Sequence, residues 1–264
     1  LFGKEVFGGF GRNFANPAIV GRAFVYVCFP QQLTGRFVPA FEGFPGGFAH
    51  WSFESLRELP ASFASAGQNI TDAVTQASPM WVMRDVSQEI GPNGYNYWNL
   101  FLGNIGGVFQ QEGQLRILAA GSMGEGCALL VLLAAAYLLI TKTANYRLML
   151  GTFLGFATAS VLFRNVLGFS GPGGVPPMLF NLLAGTTMYV MVFMVTDPVS
   201  APKKRPAQWA YAFFIGFCVV FLRWRGVFVA AASFSVLMGN LVGPLLDMAS
   251  EAWKKRKSPT IGIK

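Results

Sequence analysis

The chain has 264 residues, 53% of them hydrophobic and only 12% charged, with 26 Phe, 31 Gly and a formal net charge of +8. Soluble domains carry about 25% charged residues, so this composition excludes a disordered chain and argues against a soluble enzyme. Cys28, Cys127 and Cys218 sit singly in apolar stretches and His50 is the single histidine, which excludes a disulfide framework and a zinc, iron–sulfur or histidine-rich metal centre built from this chain alone.

In chain order, the first candidate span is Asn13–Phe29, interrupted by Pro17 and Arg22. Leu1 opens the chain in what reads as the end of an earlier apolar helix, which predicts further helices before it. Residues 31–114 are rich in Gly, Pro, Ser and Asn and form the only sizeable segment expected outside the membrane. Trp51, Trp81 and Trp98 in it suit a membrane interface, and Ser52–Leu59 reads as a short helix ended by Pro60. Five apolar stretches follow: Ile117–Thr141 with one charge (Glu125), Leu148–Phe163, Met178–Thr196 after a Gly/Pro-rich loop at 171–177, Pro206–Leu222 and Gly226–Leu246. A bilayer is crossed by about 20 apolar residues, and none of these runs alternates polar with apolar, as strands of a membrane barrel would. The expected fold class is therefore an all-α polytopic membrane protein with about six helices. It divides into a broken membrane helix at 1–30, an outer segment at 31–114, a five-helix bundle at 115–249 and a basic tail at 250–264.

Charge predicts the orientation. Residues 1–30 carry three bases against one acid, 31–114 three bases against seven acids, and 115–264 fourteen bases against four acids. The bases flank apolar runs, so no nucleic-acid partner is expected; the pattern is that of the positive-inside rule. Lys142 with Arg147, Lys203–Arg205 and the tail Lys254–Lys257 alternate correctly to lie on the cytoplasmic side. The acidic segment 31–114 then lies outside and residues 1–12 inside. The loop assigned to Arg223 and Arg225 blurs this count.

Breaks made of glycine and proline belong where irregular backbone lines a cavity. Gly8, Gly9, Arg12 and Asn13, followed by Asn16-Pro17, form one; they either pack helices closely or line a site. In Gly121–Gly126, Glu125 either caps a helix N-terminus or holds an ion. In Thr196–Pro202, Asp197 either binds loop amides or acts as a carboxylate at membrane depth. Glu5, Glu125, Asp197 and Asp247 are the four acids nearest apolar segments, with Arg22 and Arg164 as candidate partners. Asp247, just before the basic tail, reads as interfacial. Asn16-Pro17 and Asp197-Pro198 either mark two related halves with broken helices or coincide by chance. The run Ile70–Met80 has the spacing D-x-x-T-x-A-S and by itself reads as an Asp-initiated polar turn.

Several segments resemble the B subunits of the Na⁺-translocating NADH:quinone oxidoreductases (Nqr). They are Lys4–Gly9, Gly11–Phe14, Asn16–Ala18, Gly21–Phe24, Phe29-Pro30, Gly103–Ile105, Gly121–Glu125 and Thr196–Ala201 followed by Trp209–Tyr211. The order matches over nearly the whole chain, most weakly over about 36–70 and 80–100. The related Rnf type shares Thr196–Ala201, whereas Gly21–Phe24 favours the Nqr type. The resemblance implies part of a ten-helix inverted-repeat bundle, of which this chain would supply the end of the first repeat and all of the second. It implies a membrane subunit, not catalytic alone, of an NADH:quinone reductase that exports Na⁺, with the other subunits of the complex as partners. The implied cofactors are FMN joined through its phosphate by a flavin transferase, riboflavin and quinone. The family's flavinylation motif is D-x-x-[ST]-G-A-T; here Asp72, Thr75 and Ala77 match it, Gln76 replaces its glycine and Ser78 stands in place of the flavinylated threonine. The resemblance also places Gly8, Gly9, Arg12, Asn13 and Asn16 near riboflavin and quinone, and Glu5, Glu125 and Asp197 in the ion path. The alternatives are an Rnf-type subunit, a non-redox inverted-repeat transporter and a structural subunit that docks partners.

Overall fold

The computed structural model describes residues 5, 13, 15–29, 97–102, 108–111, 114–117, 127–170, 173–226 and 231–257. Helix α1 runs over Pro17–Cys28. Pro17 occupies the first helical position, where its missing amide costs nothing, and Asn16 Oδ1 accepts the Ala18 amide at 2.9 Å. The predicted interruption at Pro17 is thus the start of the helix. A short helix α2 (Tyr97–Leu102) precedes a two-stranded antiparallel hairpin, β1 (Val108–Gln111) with β2 (Gln114–Ile117), in which Val108 pairs with Ile117.

Helix α3 covers Ala128–Ile140. This corrects the expected start at Ile117: that residue ends a strand, and Cys127, in extended conformation, immediately precedes the helix. Glycines at 121, 124 and 126 weaken any helix upstream. The α3 C-terminus closes tightly. Thr141 Oγ1 donates to the Tyr137 carbonyl at 2.9 Å, the amides of Thr143 and Ala144 reach back to Leu138, and Lys142 takes a left-handed φ of 56°. Asn145 then caps α4 (Tyr146–Val161), its Oδ1 accepting the Arg147 amide at 3.1 Å. A π-helical turn at Leu162–Val166 continues α4.

The expected single helix at Met178–Thr196 is two helices. Helix α5 (Met178–Leu183) ends at Ala184, Gly185 takes a positive φ of 72°, and α6 (Thr187–Tyr189) passes into a π-helical turn at Val190–Met194. Helix α7 (Arg205–Arg225) includes Arg223 and Arg225, which the sequence pattern assigns to a loop. Helix α8 (Ala231–Lys257) continues through Pro244 into the first residues of the basic tail. Among the described residues, three helices, Tyr146–Val166, Arg205–Arg225 and Ala231–Arg256, are long and apolar enough to cross a membrane.

Helix α7 lies between α4 and α8. It runs parallel to α4: a Cβ on Gly151 would meet Ala212 at 2.7 Å, and Cβ atoms on Gly155 and Gly216 would run into the main chain of Phe213 and of Thr152. Small residues let helix backbones approach this closely without an aqueous hydrophobic drive. It runs antiparallel to α8: a Cβ on Gly239 would meet Ile215 at 2.5 Å, and Tyr211 pairs with Asn240. Phe156, Val190, Tyr211, Ile215, Val219 and Val236 fill the core between these elements. Large apolar side chains such as Leu133, Ile140, Leu154 and Leu245 point outward and exposed, which suits lipid rather than water.

The helix directions give the bundle two ends. At the lysine end, α3 finishes, α4 and α7 begin and α8 finishes. At the arginine end, α4 finishes near Arg164, α7 finishes at Arg223–Arg225 and α8 begins. Tyr26 stacks edge-on against Phe234 at 6.0 Å, so α1 finishes at the arginine end. The Cys127 thiol lies 3.8 Å from the Phe101 carbonyl, so α2 meets the start of α3 at that same end.

Candidate functional site

A buried polar group sits at the break between α5 and α6. Arg223 is only 8% exposed. Its Nη1 donates to the Asn181 carbonyl and to Asn181 Oδ1, both at 2.7 Å, and to the Ala184 carbonyl at 3.1 Å. Carbonyls at the end of a short helix have no intrahelical partner, and in a bilayer no water supplies one. The guanidinium, with its fixed fork of donors, takes that place. Gly185 leaves room for it: a Cβ there would sit 3.4 Å from Arg223 Nη2. Asn181 is fully buried, and its Nδ2 has no hydrogen-bond partner.

A second buried polar group lies where α7 faces α8. The Tyr211 hydroxyl donates to Asn240 Oδ1 at 2.6 Å, and Asn240 Nδ2 is buried without a partner. Pro244 lies four residues on in the same helix and has no amide to offer the Asn240 carbonyl. Further toward the lysine end, Asn145 Nδ2 donates to Gln208 Oε1 at 3.0 Å, and Gln208 Nε2 to the Pro202 carbonyl at 3.1 Å.

Asp197 is half-buried at the lysine end. Its Oδ1 accepts the Val199 amide at 3.1 Å and its Oδ2 the Ser200 hydroxyl at 2.8 Å. The loop-amide reading of Asp197 is therefore met, and two hydrogen bonds leave a carboxylate with further acceptor capacity. Asp247 fastens α8 to the start of α7: its two oxygens accept the amides of Lys203 at 3.0 Å and Lys204 at 3.1 Å. A negative charge at a helix N-terminus is favourable.

Of the other residues singled out in the sequence, Glu5 is exposed in a turn, and Asn16 is committed to capping α1. Asn13 Oδ1 is buried and has no hydrogen-bond partner among the described residues. An orphaned acceptor of this kind fits the imide N–H of a flavin ring. Gly8, Gly9, Arg12, Asp72, Thr75, Ala77, Ser78 and Glu125, and the helix expected at Ser52–Leu59, lie outside the described residues. Among the described residues no group of three His, Cys, Asp or Glu is placed to hold a metal ion.

Sequence reasoning missed Arg223, Asn181 and Asn240. Arg223 was findable: Tyr211, Ile215, Val219 and Arg223 recur every fourth residue and all are buried on one face. Asn181 and Asn240 carry no such signal, because an isolated asparagine in an apolar run gives no hint of its partner.

Comparison with known proteins gives one consistent result. The model of the family described as NQR2, RnfD, RnfE matches residues 1–254. The chain is similar to proteins named as the B subunit of Na(+)-translocating NADH-quinone reductase. It is 35% identical to the one from Chromohalobacter salexigens over 94% of this chain and 50% of that protein. It is 33% identical to that of Azotobacter vinelandii over 94% and 51%, and 32% identical to that of Pseudoalteromonas atlantica over 99% and 55%. The chain spans about half the length of the curated relatives it matches.

Proposed function

The chain belongs to the NQR2, RnfD, RnfE family of bacterial inner-membrane proteins, and from that premise we propose that it is a membrane subunit of a redox-driven Na⁺ pump of the Nqr type. In this reading the subunit relays electrons through FMN held covalently at Ser78 toward quinone, forms part of the ion path and works only with the other subunits of its complex.

One placement carries the reading. Helix α1 finishes, and α2 meets the start of α3, at the arginine end of the bundle. The exposed lysines gather at the other end. With the lysines in the cytoplasm by the positive-inside rule, the helix ends on either side of residues 31–114 face outward, which supports an outer segment there within reach of an extracytoplasmic flavin transferase.

The chain's own residues then have distinct parts. Ser78 supplies the attachment oxygen: its hydroxyl bonds to the FMN-side phosphorus of FAD, the pyrophosphate bond breaks, AMP leaves and the hydroxyl proton is lost. Asp72, Thr75 and Ala77 are the neighbours that match the flavinylation motif around it. When bound, the isoalloxazine ring supplies one- and two-electron redox chemistry. Asn13 Oδ1, with Gly8, Gly9 and Arg12 beside it in sequence, would accept a ring N–H of riboflavin, and Asn16 holds the helix behind it. Glu5, Glu125 and Asp197 supply carboxylates along the Na⁺ route, where every charge must be paired or hydrated.

Peptide mapping across Thr71–Arg84, on protein made in cells with an active flavin transferase, tests the proposal. The expected result is an adduct equal to FMN less one water on Ser78, with in-gel flavin fluorescence that the Ser78→Ala variant loses. An unmodified wild-type peptide under those conditions would overturn the covalent relay.

A further inference from the structure

Three basic runs far apart in sequence form one surface at the lysine end. Asn145, at the start of α4, bonds Gln208 in the first turn of α7 at 3.0 Å, which brings Lys142 and Arg147 beside Lys203 and Arg205. Asp247 binds the amides of Lys203 and Lys204, and Lys204 Nζ pairs with Glu251 at 3.1 Å, which adds the end of α8. Asp247 and Glu251 are therefore both engaged within the protein. Lys142, Lys203, Arg205, Lys254, Lys255 and Arg256 are exposed.

We propose that this end is a binding surface for anionic phospholipid headgroups. Three observations select a lipid over an acidic protein. First, Lys254, Lys255 and Arg256 are consecutive helical residues and all exposed. Successive residues sit about 100° apart around a helix, so the bases ring the helix instead of facing one side. Headgroups surround a helix, whereas a protein partner covers one face of it. Second, the ring continues into an exposed apolar ridge of Leu241, Leu245 and Met248, spaced four and three residues apart on α8. That ridge offers acyl chains a surface contiguous with the headgroup contacts. Third, Tyr146, Trp209 and Trp253 are exposed near the lysine-end termini of α4, α7 and α8. Aromatics at helix ends mark headgroup level. From Asp247, which meets the first residues of α7, helix α8 runs ten residues on to Lys257. At about 1.5 Å per residue that is roughly 15 Å, enough to pass through a headgroup layer.

The test uses the full-length protein in nanodiscs, with tryptophan quenching by brominated phosphatidylglycerol compared with brominated phosphatidylcholine. Each base near an anionic surface is worth about a fivefold change in association, so at least about a fivefold preference for phosphatidylglycerol is expected, falling with salt. The variant Lys254→Gln/Lys255→Gln/Arg256→Gln should lose it, and Lys254→Arg/Lys255→Arg should keep it, which separates charge from folding. Equal quenching by the two lipids, or an unchanged preference in the triple variant, would overturn the proposal. Loss of the preference on adding millimolar inorganic phosphate at constant ionic strength would point to a free-anion site, and loss on adding polyglutamate under the same conditions to an acidic protein surface. Either result also overturns it.

Discussion

At the arginine end of the bundle, Arg223 is buried against three acceptors, Arg164 donates to the Val175 carbonyl at 2.7 Å, and Arg225 lies over the Trp224 ring at 4.2 Å. At the lysine end, Lys203, Arg205 and Lys254–Arg256 stand exposed, and an ion pair there joins two half-exposed side chains, Lys204 and Glu251. Both ends are basic, but Arg223 and Arg164 donate to main-chain carbonyls within the protein, whereas Lys142, Lys203, Arg205 and Lys254–Arg256 are exposed, as Arg225 is. Side-chain chemistry suits arginine to the inner role. A guanidinium is planar, weakly hydrated and rich in donors, and so suits carbonyls in a dry site; an ammonium is a strongly hydrated point charge. A count of bases at membrane boundaries should weigh the two kinds differently. Counting Arg223 and Arg164 as internal donors lowers the number of free bases at the arginine end, although Arg225 there is exposed.

Removing charge from each end should break this comparison unequally. The largest effect is expected for Arg223→Gln, which removes the guanidinium from the Asn181 and Ala184 carbonyls at the α5/α6 break, although the Asn181 carbonyl keeps the Thr187 hydroxyl at 3.2 Å. A loss on the order of 3 kcal/mol is expected in the unfolding of the purified protein in detergent. Arg223→Lys should recover part of that loss, because it keeps the charge but not the fork. A loss below about 0.5 kcal/mol for Arg223→Gln, the size of an ordinary surface change, would mean that the break stands without its arginine. A middle effect is expected for Asp247→Asn at the lysine end. The amide can still accept one of the two main-chain donors, so the loss should be about 1 kcal/mol in the same unfolding assay. An unchanged stability would mean that α8 does not fasten the start of α7. The smallest effect is expected for Lys204 with Glu251. Their side chains are 42% and 54% exposed, and a double-mutant cycle should return a coupling below about 0.5 kcal/mol. A coupling of several times that size would erase the distinction between the two ends.

Much of this fold is legible in the sequence. The long apolar runs locate both ends of α4 and α7 to within three residues, because length and the absence of charge are strong signals in a membrane chain, whereas α8 starts five residues later and ends eleven residues later than its apolar run. Asn16-Pro17 reads as an interruption but is a helix start, since a polar cap followed by proline is also how helices begin. The break at Ala184–Thr186 is hidden: no proline marks it, and the donor that makes it tolerable lies on α7, about forty residues away. Helix α3 starts eleven residues after the expected Ile117, which lies in a strand; a mostly apolar run does not by itself distinguish a helix from a strand. At the candidate site, the pattern around Asp197 leaves two alternatives, and its loop amide is in place. Asp247 reads as interfacial, yet its role as a fastener depends on a partner loop that no local pattern announces. Asn13 belongs to a glycine-rich break legible in the sequence, and only the family resemblance turns that break into a flavin site.

The opposition of the two ends is tested most directly by thiol labelling in oriented membrane vesicles. Ser78→Cys and Ser258→Cys would be made separately in a protein whose Cys28, Cys127 and Cys218 are replaced. A membrane-impermeant maleimide should label position 78 in right-side-out vesicles and position 258 only in everted ones. Labelling of both positions from the same side would contradict the placement of residues 31–114 opposite the lysines, and with it the outer attachment of flavin.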